Sequence, residues 1–217
     1  MNLDEFIAAT HTAGLHVGEI GEPMLAGLNE TDAAHRALEI VAATTILGFA
    51  VPKRFGGNVV GRLVEEDDVS CRAMCAVREG LAYHSGLLDV MFAMQGLGSY
   101  PIARGGSDEL RERLLPEVVA GKQIAAFALT EVEAGSDLGR IATRAERHGE
   151  HWRIHGRKTF ITNAGIATFY SLLARTSGEP GDGGHDSLTM FCVPARTRGL
   201  RTHRFEVTAP HPIGDVV

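Results

Sequence analysis

The chain changes period near Gly121. Before it, apolar residues recur every three to four positions, as on one face of a helix; after it they tend to alternate, as on a strand. One segment cannot serve both periods. The switch therefore predicts an α+β chain: an all-helical domain over 1–121, then a mostly antiparallel β-barrel or sandwich domain over 122–217.

The first half has its own punctuation. Residues 3–13 and 17–28 carry helical spacing. Thr31 reads as the N-cap of a helix that runs to about Leu47, with Asp32 in its first turn and Gly48 as its stop. Val51-Pro52-Lys53-Arg54-Phe55-Gly56-Gly57 reads as an ordered loop. Helices are expected over 64–78 and 81–97, and Ser107 caps a last one over 108–120. In the second half, short runs at 124–130, 140–148, 151–155, 157–162, 167–176, 187–195 and 200–208 read as strands. Val216-Val217 reads as the opening of another.

Composition removes several classes of function. The net charge is -6, which gives no reason to expect nucleic acid or an anionic membrane. No apolar run approaches the roughly 18 residues of a membrane span. Met1 to Phe6 is acidic and unlike a signal peptide, so a cytoplasmic protein is expected. The three cysteines make no framework. Cys71 and Cys75 share a helix face and read as small buried residues. His148, His151 and His155 straddle the turn at Gly149 and read as a solvated hairpin. No metal is expected.

Two segments carry chemistry. Thr130-Glu131-Val132-Glu133-Ala134-Gly135-Ser136-Asp137 follows an apolar run and packs hydroxyls and backbone N–H groups into one turn. Such a turn can hold the edge of a flat polar heterocycle and a phosphate. Lys158-Thr159-Phe160-Ile161-Thr162-Asn163-Ala164 is the second landmark. Each residue also has a plainer reading: Thr162-Asn163 as a strand end, Phe127 and Phe160 as core aromatics, and Glu131 and Asp137 as acids that stabilise a turn. Neither acid is assigned as a catalytic base.

Together these segments resemble the flavin-binding core of the acyl-CoA dehydrogenase family. The resemblance extends to Gly48–Gly57, to Gly105–Pro116 with Ala120-Gly121-Lys122, to Phe191-Val193-Pro194 and to Gly199-Leu200, in the family's order. It departs at Val132, where the family often has Pro, and at Phe160, where it often has Trp. Thr208–Gly214 stands in place of a Gly-Arg-Ser-like run.

The resemblance implies FAD as cofactor and α,β-dehydrogenation of an acyl thioester, carried on coenzyme A or an acyl-carrier protein. It implies Thr162 at the flavin N5, Phe127, Leu129 and Thr130 along the ring, and Phe160 and Ile161 behind it. Gly135 would also belong to the cofactor site, and Ser136 would meet the flavin pyrophosphate or the thioester tail. Electrons would pass to an electron-transfer flavoprotein or another acceptor, and the protein would be a homo- or hetero-oligomer. The family's base lies on a C-terminal helical domain, so it is expected beyond Val217, and this chain alone is expected to be incomplete as a catalyst. Two alternatives stay open: a non-catalytic relative or split subunit completed by a partner chain, and an oxygen-using flavoprotein of the same fold.

Overall fold

The computed structural model describes residues 2–58, 68–182, 185–208 and 211–217. The chain divides into two compact units, Met1–Ala125 with Thr208–His211, and Ala126–Val207 with Pro212–Val217.

The first unit is helical. Helix α1 (Leu3–Gly21) starts at a reciprocal capping box: Asn2 accepts from the Glu5 N–H, and the Glu5 carboxylate accepts from the Asn2 N–H. It runs unbroken where the sequence suggested two helices. Gly14 is accommodated in mid-helix because a Cβ there would lie 2.5 Å from the Val77 carbonyl oxygen of a neighbouring helix. Helix α2 (Glu30–Ala42) is capped by Asn29, whose Oδ1 accepts from the Asp32 N–H. The expected cap, Thr31, lies inside the first turn. The helix ends at Ala42 because Thr44 turns extended. Thr45–Ala50 then wind as a 3₁₀ helix that contains Gly48 instead of being stopped by it. The 51–57 loop holds one 3₁₀ turn, Lys53–Phe55, closed by a left-handed Gly56 with φ 95°.

Helices α3 (Cys71–His84), α4 (Gly86–Gly105) and α5 (Asp108–Val119) are capped by Ser70, Ser85 and Ser107. Residues 64–67 of the helix expected over 64–78 lie outside the described residues. Cys71 and Cys75 are exposed, contrary to expectation. Helix α3 buries its opposite face instead, through Ala73, Ala76, Val77, Gly80 and Leu81.

The second unit carries two sheets. The strands are β1 (Ala125–Ala128), β2 (Arg144–His148), β3 (His151–His155), β4 (Lys158–Thr162), β5 (Phe169–Arg175), β6 (Leu188–Pro194), β7 (Thr202–Arg204) and β8 (Ile213–Val216). One sheet has the order β1-β5-β2-β3 with β6 on β5; the other is β4-β8-β7. Pairing is antiparallel between β2 and β3, β5 and β6, β4 and β8, and β7 and β8, while β2 meets β5 in parallel at Arg144 and Arg175. Strand β8 begins at Ile213, earlier than the sequence suggested. Both sheets contribute to one apolar cluster, with Ala126, Ala145, Tyr170 and Leu172 from the first and Ile161 and Val216 from the second. His148, His151 and His155 lie exposed on the β2–β3 hairpin, as expected. No helix among the described residues is long and apolar enough to cross a membrane.

Candidate functional site

The two segments singled out in the sequence meet inside the β unit. Strand β1 alternates: Ala126 and Ala128 are buried and Phe127 is half-buried on the other side. After Ala128 the chain leaves the ladder. Glu131 and Ala134 exchange backbone hydrogen bonds of 2.9 and 3.3 Å, which closes a tight loop and leaves Val132 exposed. Leu129 packs with Ala134, Ile141 and Leu173 beneath this loop. Gly135 and Ser136 follow on its exposed side. Asp137 then accepts from the Gly139 N–H at 3.1 Å and starts a short 3₁₀ turn.

Between β1 and β2 the backbone has almost no ladder to satisfy it, and buried charged side chains do so instead. The Glu131 carboxylate accepts from the Ala142 N–H at 2.8 Å and the Thr143 N–H at 2.9 Å. Lys158 Nζ donates to Glu131 at 2.8 Å and to the Leu129 carbonyl at 2.9 Å. Lys158 is 1% exposed and Glu131 8%. Arg175, also buried, donates to the Ile141 carbonyl at 2.9 Å and the Gly139 carbonyl at 2.7 Å. Burial raises the Glu131 pKa, but the Lys158 ammonium and the two N–H groups outweigh it and hold the carboxyl below its ordinary range. Burial lowers the Lys158 pKa, and Glu131 opposes that.

Strand β4 is irregular where the site needs it. The register against β8 shifts between Lys158 and Ile161. Within the bulge Phe160 adopts φ 56°, a strained value for a bulky residue, and the residue is 65% exposed. It stands edge-on to Phe205 at 5.5 Å. Ile161 points the other way and is buried in the core. Asn163, at φ 66°, ends the strand; its N–H donates to the Pro212 carbonyl at 2.7 Å.

The Thr159 N–H donates to the Thr130 carbonyl at 2.9 Å, so β4 is bonded directly to the Leu129-Thr130 segment. This brings Thr130 beside the strand that carries Phe160, Ile161 and Thr162. Gly135 and Ser136 belong to the same loop, but among the described residues no hydrogen bond joins them to β4. A separate groove of about 890 Å³ lies along β3 and β6, floored by Trp152, Ile154, Phe191 and Leu200. None of the eight candidate residues lines it. Sequence reasoning included Lys158 in the second landmark without giving it a role, and did not single out Arg175 or Phe205. Lys158 and Glu131 are 27 positions apart, and nothing local marks either as half of a buried pair.

Comparisons with known proteins bear on the family and the fold. Residues 18–122 match the family model described as acyl-CoA dehydrogenase, N-terminal domain, and residues 126–213 match its middle domain. The chain belongs to the acyl-CoA dehydrogenase family. It is similar to a cyclohexane-1-carbonyl-CoA dehydrogenase of Geobacter metallireducens, 39% identical over 133 residues, which is 61% of this chain and 34% of that protein. A second cyclohexane-1-carbonyl-CoA dehydrogenase, from Syntrophus aciditrophicus, is 35% identical over 61% of this chain and 34% of its own length. A solved glutaryl-coenzyme A dehydrogenase in complex with glutaryl-CoA superposes with a TM-score of 0.80 at 26% identity, over 99% of this chain and 52% of that one. The chain thus spans about a third of the curated relatives' length and about half of the solved one.

Proposed function

We propose that this chain binds FAD and serves the α,β-dehydrogenation of an acyl thioester, carried on coenzyme A or an acyl-carrier protein. One observation carries the reading: the bulge in β4 holds Phe160 at a positive φ, out of the core, on the strand bonded to Thr130. Backbone strain of this kind costs on the order of 1–3 kcal/mol and persists where the surroundings over-determine it. A ring pushed into solvent at that cost is not explained by packing.

The donor set fits the cofactor. The hydroxyls of Thr130, Ser136 and Thr162 make no hydrogen bond within the described residues. Thr162 would donate to the flavin N5, and Thr130 to the pyrimidine edge. Phe127, Leu129 and Phe160 would line or back the ring, with Ile161 behind them as core support. Gly135 and Ser136 would take the pyrophosphate, or Ser136 the thioester tail. Bound FAD supplies the hydride acceptor; the side chains bind, orient and polarise. Glu131 is excluded as the base: its carboxylate is buried, held ionised and occupied by three donors. No described residue is assigned that role.

The reading extends to an electron-transfer flavoprotein or another acceptor, to assembly as an oligomer, and to a division between the helical and flavin-binding domains near Gly121. It places the protein in the cytoplasm, in keeping with a net charge of -6. The test is the visible spectrum of the purified chain with saturating FAD, followed by anaerobic titration with acyl-CoA thioesters. Thr162→Val deletes a hydroxyl at nearly constant volume, so it should shift the bound flavin's reduction potential while leaving the unfolding midpoint nearly unchanged. Failure to take up FAD at saturation would sink the reading.

A further inference from the structure

The Leu129–Thr130 peptide lies between a buried cation and the candidate ring site. Its carbonyl accepts from Lys158 Nζ at 2.9 Å, and that ammonium is seated on Glu131 at 2.8 Å. Its other end, the Thr130 N–H, donates to no group among the described residues. The next carbonyl, that of Thr130, is held by the Thr159 N–H. The peptide plane is therefore fixed from both sides while its donor stays free. A carbonyl bonded to a cation withdraws charge through the amide and makes the N–H of the same peptide a stronger donor. Low local polarity strengthens the effect, because Lys158 and Glu131 are both buried.

We propose that Lys158 is a positioning residue for the flavin: seated on Glu131, it polarises and aims the Thr130 N–H at the pyrimidine edge of the ring. This rests on the flavin reading above and adds to it a group that never touches the cofactor. The charge on the reduced flavin gains more from such a donor than the oxidised ring does, so Lys158 raises the reduction potential. Helices and sheets stay as they are; the device is one peptide unit with a cation on its carbonyl.

The test pairs the neutral double variant Lys158→Met/Glu131→Gln with the wild-type chain. Both charges go together, so neither is left buried without its partner, which is the change that destabilises most. The glutamine keeps an acceptor for the 142–143 backbone. FAD affinity is measured by titration, and the potential by anaerobic reduction against reference dyes. Far-UV circular dichroism and the emission of Trp152, the chain's one tryptophan, report the fold. The double variant should hold its fold, weaken FAD binding about tenfold, as expected for a charge-assisted bond, and move the potential to more negative values. An unchanged potential overturns the inference, whether or not affinity falls, because a purely structural pair would not tune the ring. Should the double variant fail to fold, Glu131→Gln alone decides. A Lys158 without its counter-charge sheds its proton more readily, so the potential should gain an added inflection on top of the proton-linked slope that flavin reduction shows in the wild-type protein; a profile parallel to the wild type overturns the inference. A wild-type chain that never binds FAD removes the flavin reading and this inference together, whereas a wild-type chain that binds while the variants match it removes only the inference.

Discussion

In the helical unit the backbone mostly satisfies itself, with Arg111 reaching carbonyls at the end of α4, whereas in the β unit buried charged side chains do it for a whole segment between strands. Helices α1 to α5 close their own hydrogen bonds and are capped by Asn or Ser side chains. Their buried hydroxyls stay local: Thr10 bonds to the Phe6 carbonyl and Ser99 to the Gln95 carbonyl, each four residues back. What remains is apolar packing with close backbone approach, as at Gly14 and Gly80. The 129–143 segment of the β unit is different. It is mostly neither helix nor ladder, yet part of it is buried, so its own Glu131 together with Lys158 of β4 and Arg175 of β5 meets its N–H and C=O groups. An element with periodic hydrogen bonding can bury its backbone unaided; a functional loop cannot, and it fixes its shape with charges that are costly to bury.

The largest expected effect tests that contrast at Arg175. Its Nε and one terminal nitrogen serve the Ile141 and Gly139 carbonyls, and the other terminal nitrogen serves the Ser187 hydroxyl. Arg175→Met keeps most of the stem and removes every donor. The buried Ile141 carbonyl loses its partner at about 1–3 kcal/mol, while the Gly139 carbonyl keeps only the Gly181 N–H, so the unfolding free energy should fall by about 2 kcal/mol or more. Urea titration followed by Trp152 emission reads this in the β unit. A loss under about 1 kcal/mol would break the contrast, because the loop would then hold without its charged supports.

In the helical unit the corresponding weak point is a glycine. A Cβ at Gly80 would lie 2.5 Å from the Leu15 nitrogen and 2.6 Å from the His11 carbonyl oxygen, both backbone atoms of α1. Gly80→Ala gains about 1 kcal/mol in helix propensity and must force α1 and α3 apart. Overpacking of this kind costs about 1–3 kcal/mol, and backbone neighbours cannot rotate away, so a net loss of about 1–2 kcal/mol is expected. Urea unfolding followed at 222 nm measures it. A stabilised Gly80→Ala variant would show that α1 and α3 have room to spare.

How far the sequence could be read follows from the same contrast. The Ser107 cap, the β2–β3 hairpin and the period switch are local patterns, and all appear in the structure. Errors arose where a distant partner decides. Residues 3–13 and 17–28 read as two helical runs where one helix spans both, and the Val77 carbonyl against which Gly14 packs is 63 positions away. Cys71 and Cys75 looked buried because the sequence does not say which face of α3 turns inward. At the site, Phe127, Thr130, Phe160 and Thr162 could be nominated because the family pattern places them. Glu131 was legible as a turn-stabilising acid, since carboxylates readily accept from backbone N–H groups, and it bonds two of them. The burial of Lys158 was not legible: a lysine in a strand is ordinarily exposed, and only the folded chain brings Glu131 and the Leu129 carbonyl to its ammonium.

The smallest expected effect is a difference in pH response between the units. In the helical unit burial lowers the His211 pKa below its ordinary value, and Glu30 opposes this only in part. In the β unit Glu131 is held below the carboxylate range. Both groups bind protons more weakly folded than unfolded, so both contribute stability that is complete at high pH and lost on acidification. The windows differ. His211 contributes in full above its unfolded value of about 6.5, and that contribution drains as the pH falls through its lower folded value. Glu131 keeps its contribution until the pH drops below about 4.3. Between pH 7 and pH 5 the stability loss should therefore trace to His211 and vanish in His211→Gln, while Glu131→Gln leaves that slope alone and flattens the steeper loss below pH 4. Urea titrations at half-unit pH steps measure both slopes. A His211→Gln protein that keeps the full loss between pH 7 and pH 5 would mean that a group other than this imidazole carries the mildly acidic response.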